Sequence, residues 1–92
     1  MPQRTVVIGS RSGLHARPAS LFVQAAARQP VKVTVARDGQ PPVDARSLLS
    51  VLALGAQHGE PLVLAAEGDG ADAAIEELAA LVAADLDAKE QA

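Results

Sequence analysis

The 92-residue chain has no cysteine, no tryptophan and no tyrosine, and Phe22 is its one aromatic residue. Without cysteine there is no disulfide scaffold, no thiol nucleophile and no Cys-ligated zinc site. With one aromatic side chain there is nothing to stack on bases, and Lys and Arg are scattered, so nucleic acid is not expected as a partner. Apolar runs are too short to cross a bilayer. The N-terminus leads from Met1-Pro2-Gln3-Arg4 into a strand-like run with no signal-peptide core, which predicts a cytoplasmic protein without membrane insertion.

What is abundant is aliphatic. Apolar residues make up 49% of the chain, and twenty residues are alanine. A single thin core over residues 1–92 is expected, with 88–92 fraying. The net charge of −3 hides an asymmetry. Residues 1–46 hold seven Lys/Arg against two Asp, and residues 47–92 hold one Lys against nine Asp/Glu. A basic half suits an acidic or phosphorylated partner, although charges on solvated faces explain the pattern equally well.

The patterning predicts β-α-β-β-α-β-α. Strands are expected at 4–9, 31–37, 40–44 and 61–67. Val31, Val33 and Val35 share one face of the second, Asp38-Gly39 makes a hairpin turn, and Pro41-Pro42 limits the third to an edge. A helix beginning near Ala16 carries Ala19, Phe22, Val23 and Ala26 on one face, has Pro18 in its first turn and is stopped by Pro30. A short helix over 48–54 is capped by Ser47 and ended by Gly55. A last helix over 71–86 buries Ile75, Leu78, Val82 and Leu86, with Asp69, Asp72, Glu76 and Glu77 crowding its start. A sheet with one wet face is usually antiparallel. The fold class is therefore α+β: a two-layer, open-faced β-sandwich with a four-stranded antiparallel sheet and three helices on one face.

The chemistry concentrates in Gly13-Leu14-His15-Ala16-Arg17-Pro18-Ala19. His15 falls at the N-cap of the first helix. The backbone N–H groups of Ala16 and Arg17 and the helix dipole make an anion site there, to which Arg17 adds a charge and a fork of donors. The same surroundings disfavour imidazolium, which leaves His15 a neutral nucleophile beside a phosphate site. An ordinary capping histidine fits the spacing too. His58, in Gln57-His58-Gly59, reads as a surface loop residue. A metal module would have to use His15 and His58 without clustered carboxylates, so no metal and no cofactor are expected.

The heptapeptide at 13–19 closely resembles the active-site signature of the HPr family, the histidine-containing phosphocarriers of the bacterial phosphotransferase system. Asp44-Ala45-Arg46-Ser47-Leu48-Leu49-Ser50-Val51-Leu52-Ala53-Leu54-Gly55 resembles the family's regulatory-serine segment, and the likeness spans essentially the whole chain. It implies a stoichiometric carrier more than an enzyme. His15 would accept a phosphoryl group on Nδ1 from enzyme I, itself phosphorylated by phosphoenolpyruvate, with Arg17 neutralising the charge. His15 would then donate to a histidine on the A domain of a sugar permease. The resemblance also makes Ser47 the target of an HPr kinase/phosphorylase, which connects the carrier to a transcriptional regulator and to carbon catabolite regulation. Two alternatives stay open: a paralogous carrier in a regulatory relay, and a regulator acting through Ser47.

The leucines of 48–54 spread around most of a helix. Leu49 and Leu52 should project away from Val51 and Leu54 and form, with Leu21, an exposed docking patch flanked by Arg17 and Arg28. A monomer is expected. Three departures from the family pattern stand out: Ser50 where Gly or Lys is frequent, an all-leucine patch where others use Met or Phe, and Pro41-Pro42.

Overall fold

The computed structural model describes residues 3–11, 13–14 and 16–84. The elements run β1 (Gln3–Val7), α1 (Ala16–Ala27), β2 (Val33–Arg37), β3 (Val43–Asp44), α2 (Leu48–Ala53), β4 (Pro61–Ala66) and α3 (Ala71–Ala83). The four strands form one antiparallel sheet in the order β1-β4-β2-β3. The expected fold class is the observed one.

Alternation separates the two faces of the sheet. Val33 and Val35 of β2 and Leu62, Leu64 and Ala66 of β4 are buried under the helices. The register sets Val33 opposite Ala66 and Val35 opposite Leu64, so these side chains share one face. Phe22, Ala25 and Ala26 of α1 and Ala74, Ile75, Leu78 and Val82 of α3 join them in one core. α3 lies on β1 and β4, and α1 packs against α3 and α2. Alanines at the helix contacts let backbones approach closely, so a core with a single aromatic ring still closes. The opposite face presents Thr5, Thr34, Val63 and Ala65, and Val7 is 55% exposed there.

The element boundaries shift from the sequence expectations for identifiable reasons. β1 starts at Gln3 and leaves the sheet after Val7, because its partner β4 begins at Pro61, opposite Val7. β2 starts at Val33 and not at 31, because β4 ends at Ala66, opposite Val33. Val31 still packs half-buried against the core. β3 shrinks to two residues, since Pro41 and Pro42 have no N–H to donate. α1 ends at Ala27, ahead of Pro30, where Gln29 Nε2 donates to the Ala25 carbonyl. α2 ends at Ala53 with Leu54 as its C-cap, and β4 ends at Ala66.

α3 differs most. It ends at Ala83, and Ala84 turns extended. Leu86 and the fraying expected for 88–92 lie outside the described residues. The N-cap of α3 is Gly70 at φ 90°, with no side-chain cap, and of the four acidic residues expected at its start only Asp72 stands in the first turn.

Candidate functional site

Residues 8–14 carry the chain from β1 to α1, and two other segments, 56–60 and 82–84, grip them. Ile8 N–H donates to the Glu60 carbonyl at 3.0 Å, and Gly59 N–H donates back to the Ile8 carbonyl at 2.9 Å. Gly9 N–H donates to the Val82 carbonyl at 2.8 Å, and Ser10 Oγ donates to the Ala84 carbonyl at 3.2 Å. A turn then closes from Gly13 N–H to the Ser10 carbonyl at 3.0 Å, and Leu14 N–H donates to the Ala56 carbonyl at 3.0 Å. Ile8 and Leu14 are buried at the two ends of this segment. Gly13 sits at φ 73°, and a Cβ there would stand 2.5 Å from the Ala56 carbonyl oxygen.

His15 lies outside the described residues, as do Ser12 and the side chain of Ala16. The frame on either side of His15 is described. α1 starts at Ala16, the residue expected to open it. Pro18, in the first turn, is fully buried, and Arg17 is exposed. The first N–H groups of a helix find no carbonyl within it and carry the positive end of its dipole. The chain thus delivers a helix N-terminus and an arginine directly after position 15.

The second segment matches its expectation at Ser47. Its backbone is extended (φ −98°, ψ 108°), and its Oγ accepts from Ser50 N–H at 3.3 Å, an N-cap. Asp44 prepares this end of α2. Its Oδ1 accepts from Arg46 N–H at 2.9 Å, and the Arg46 guanidinium bonds both carboxylate oxygens. Those bonds from Arg46, side chain first and backbone second, hold the Asp44 carboxyl below its ordinary value.

The leucines expected to be exposed differ in their exposure. Leu49 is 81% exposed, but Leu52 and Leu21 are half-buried, and Leu52 packs against the core. Leu48, not singled out from sequence, is 42% exposed. At about 100° per residue, Leu49 stands roughly opposite the buried Val51, while Leu48 and Leu52 fall on its flanks. Arg28 flanks α3 instead of standing clear, 3.9 Å from Glu77.

His58 is the surface turn residue that the sequence indicated, with one contact that the sequence did not. It is exposed in its turn, yet Nδ1 lies 3.2 Å from the Ser10 carbonyl oxygen, 48 positions earlier. Nothing in the local sequence signals that contact. Among the described residues there is no group of three or more His, Cys, Asp or Glu placed to hold a metal, and no helix long and apolar enough to cross a membrane.

Residues 2–84 match the family model described as PTS HPr component phosphorylation site. The phosphocarrier protein HPr of Streptomyces coelicolor is 54% identical over 87 residues, covering 95% of this chain and 94% of that one. The phosphocarrier protein HPr of Haloferax volcanii is 46% identical over 77 residues, covering 83% and 86%. Among solved structures, HPr from Thermoanaerobacter tengcongensis superposes with a TM-score of 0.83 at 39% identity, covering 89% of this chain and 91% of that one.

Proposed function

The chain belongs to the HPr family of phosphotransferase-system phosphocarriers, and on that premise we propose that His15 receives a phosphoryl group from phosphorylated enzyme I and passes it to the A domains of sugar permeases. An imidazole nitrogen of His15 gives its lone pair to phosphorus as the bond to the donor breaks, and the donor keeps that bonding pair. The same exchange in reverse unloads the carrier onto the next histidine. The N–H groups of Ala16 and Arg17 and the Arg17 guanidinium offset the charge on the phosphoryl oxygens. The grip stays mild, so the group can leave. The protein ends each cycle unchanged, as a stoichiometric carrier, and the setting is the cytoplasm.

The observation that supports this most is the start of α1 at Ala16, the residue after His15, with Arg17 exposed in its first turn. Leu49, Leu52 and Leu21 supply the apolar part of the docking face for both partners. Ser47 is the regulatory position. An HPr kinase/phosphorylase would transfer the γ-phosphoryl group of ATP to Oγ, which loses its proton. About two negative charges would then stand at the start of α2, where a helix tolerates them and an acidic partner does not. That form would serve a transcriptional regulator.

Intact mass after incubation with phosphoenolpyruvate and enzyme I tests the assignment. Wild type gains an acid-labile phosphoryl group and folded His15→Ala gains none. Equal labelling of His15→Ala would overturn it.

A further inference from the structure

We propose that His58 is a positioning residue for phosphoryl transfer, clamping through its Nδ1–H the turn that leads into His15. A carbonyl oxygen carries no hydrogen, so the 3.2 Å contact between His58 Nδ1 and the Ser10 carbonyl is a hydrogen bond only when Nδ1 bears the proton. The contact therefore assigns the neutral ring to its Nδ1–H tautomer. The acceptor is a consequential one. The same Ser10 carbonyl accepts from Gly13 N–H at 3.0 Å, the bond that closes the turn two residues before His15.

The ring is held from a fixed base. Glu60 N–H donates to the Gln57 carbonyl at 3.0 Å, and Gln57 N–H donates to Glu60 Oε1 at 2.7 Å, which closes the turn around His58 from both sides. Glu60 is further tied to Arg37. Leu14 N–H and Ile8 bond the same 56–60 segment. His58 thus joins the Gln57–Glu60 turn to the carbonyl that accepts from Gly13 N–H. Losing it leaves the docking face intact and lets the turn before His15 open more often. The clamp should act on the turnover step and not on partner affinity.

The kinetic arm rests on the carrier reading above, and the other two do not. In ¹⁵N-labelled full-length chain, the neutral His58 ring should show the shift pattern of Nδ1–H, the minor form of a free exposed histidine. Assignment comes from the spectrum that His58→Asn removes. Exchange of the Gly13 amide should accelerate in His58→Leu, which has no donor, and stay near wild type in His58→Asn, whose amide nitrogen sits at a comparable reach. Transfer from phosphorylated enzyme I should lose about two- to fivefold in kcat with KM unchanged in His58→Leu, the size of one modest hydrogen bond, and be restored in His58→Asn. A dominant Nε2–H tautomer, or wild-type Gly13 exchange in His58→Leu, would overturn the proposal. So would a loss confined to KM. Should the wild-type chain accept no phosphoryl group, the carrier reading falls by itself, and the tautomer and Gly13 exchange still decide whether the clamp exists.

Discussion

Replacing Gly9 with alanine should damage this protein more than any conformational argument suggests. Gly9 is not among the glycines with positive φ, so alanine can adopt its backbone. On that ground alone Gly→Ala stabilises by about 0.4–1 kcal/mol, through the unfolded chain. Space decides otherwise. A Cβ on Gly9 would lie 1.9 Å from the Ala83 carbonyl oxygen and 2.7 Å from its carbon, both backbone atoms that cannot rotate away. The loop and the end of α3 must separate, which stretches the Gly9 N–H bond to Val82 and the Ser10 Oγ bond to Ala84. Each bond is worth about 1 kcal/mol net, and overpacking costs about 1–3 kcal/mol. After the unfolded-state gain is subtracted, the loss is about 3 kcal/mol. For a domain this size that is a fall in Tm of roughly 12–24 °C. Urea and thermal unfolding followed by circular dichroism measure it. Gly39→Ala is the control, with φ +81° but nothing within 4 Å of its Cβ, and should lose only about 1–2 kcal/mol. A Gly9→Ala protein within about 1 kcal/mol of wild type would refute the close-approach argument.

Three further outcomes are expected. Ser47→Ala removes the oxygen that accepts from Ser50 N–H and should cost about 1 kcal/mol by chemical denaturation, whereas Ser47→Asp should keep the cap and slow transfer from enzyme I in a stopped reaction; equal rates would mean that docking ignores this charge. Asp44 and Glu60 are both held below their ordinary values of 3.8 and 4.5, Asp44 chiefly by Arg46 and Glu60 chiefly by the Gln57 N–H and then by Arg37. A folded-state pKa below the unfolded one means that the unfolded chain binds more protons, so this stabilisation is full above about pH 4.5 and drains as pH falls through the folded values. The urea midpoint of an Asp44→Asn, Glu60→Gln variant should therefore trail wild type at neutral pH and converge with it in acid; parallel curves would show that the two carboxylates do not titrate with folding.

Much of the frame was legible because its signals are local. Pro18 and the apolar spacing from Ala19 to Ala26 mark α1, Ser47 marks the start of α2, and alternation marks β2. The short leucine helix announced an exposed side chain, and Leu49 is that residue. The misjudgements concern places where a distant segment decides. The ends of β1 and β2 are fixed by where β4 begins and stops, which periodicity in either strand cannot report. Leu52 is drawn into the core by neighbours outside its helix. Gly9 carries no turn signature, since its reason lies 74 residues away at Ala83. His58 is the exposed turn residue expected, and only its contact with Ser10, in another loop, went unsignalled.

The two-sided grip on residues 8–14 also bears on the order in which the molecule can be completed. Gly9 and Ser10 emerge early in synthesis, but the carbonyls that receive their hydrogen bonds belong to Val82 and Ala84. Closing so long a loop carries an entropic cost that local contacts do not share. During translation the sheet face and α1 can begin to associate while this segment still lacks its last support. A nascent chain halted before Val82 has residues 8–14 and lacks the Val82 and Ala84 carbonyls that receive their hydrogen bonds. The hold on this early segment is thereby tied to the synthesis of residues that come more than seventy positions later.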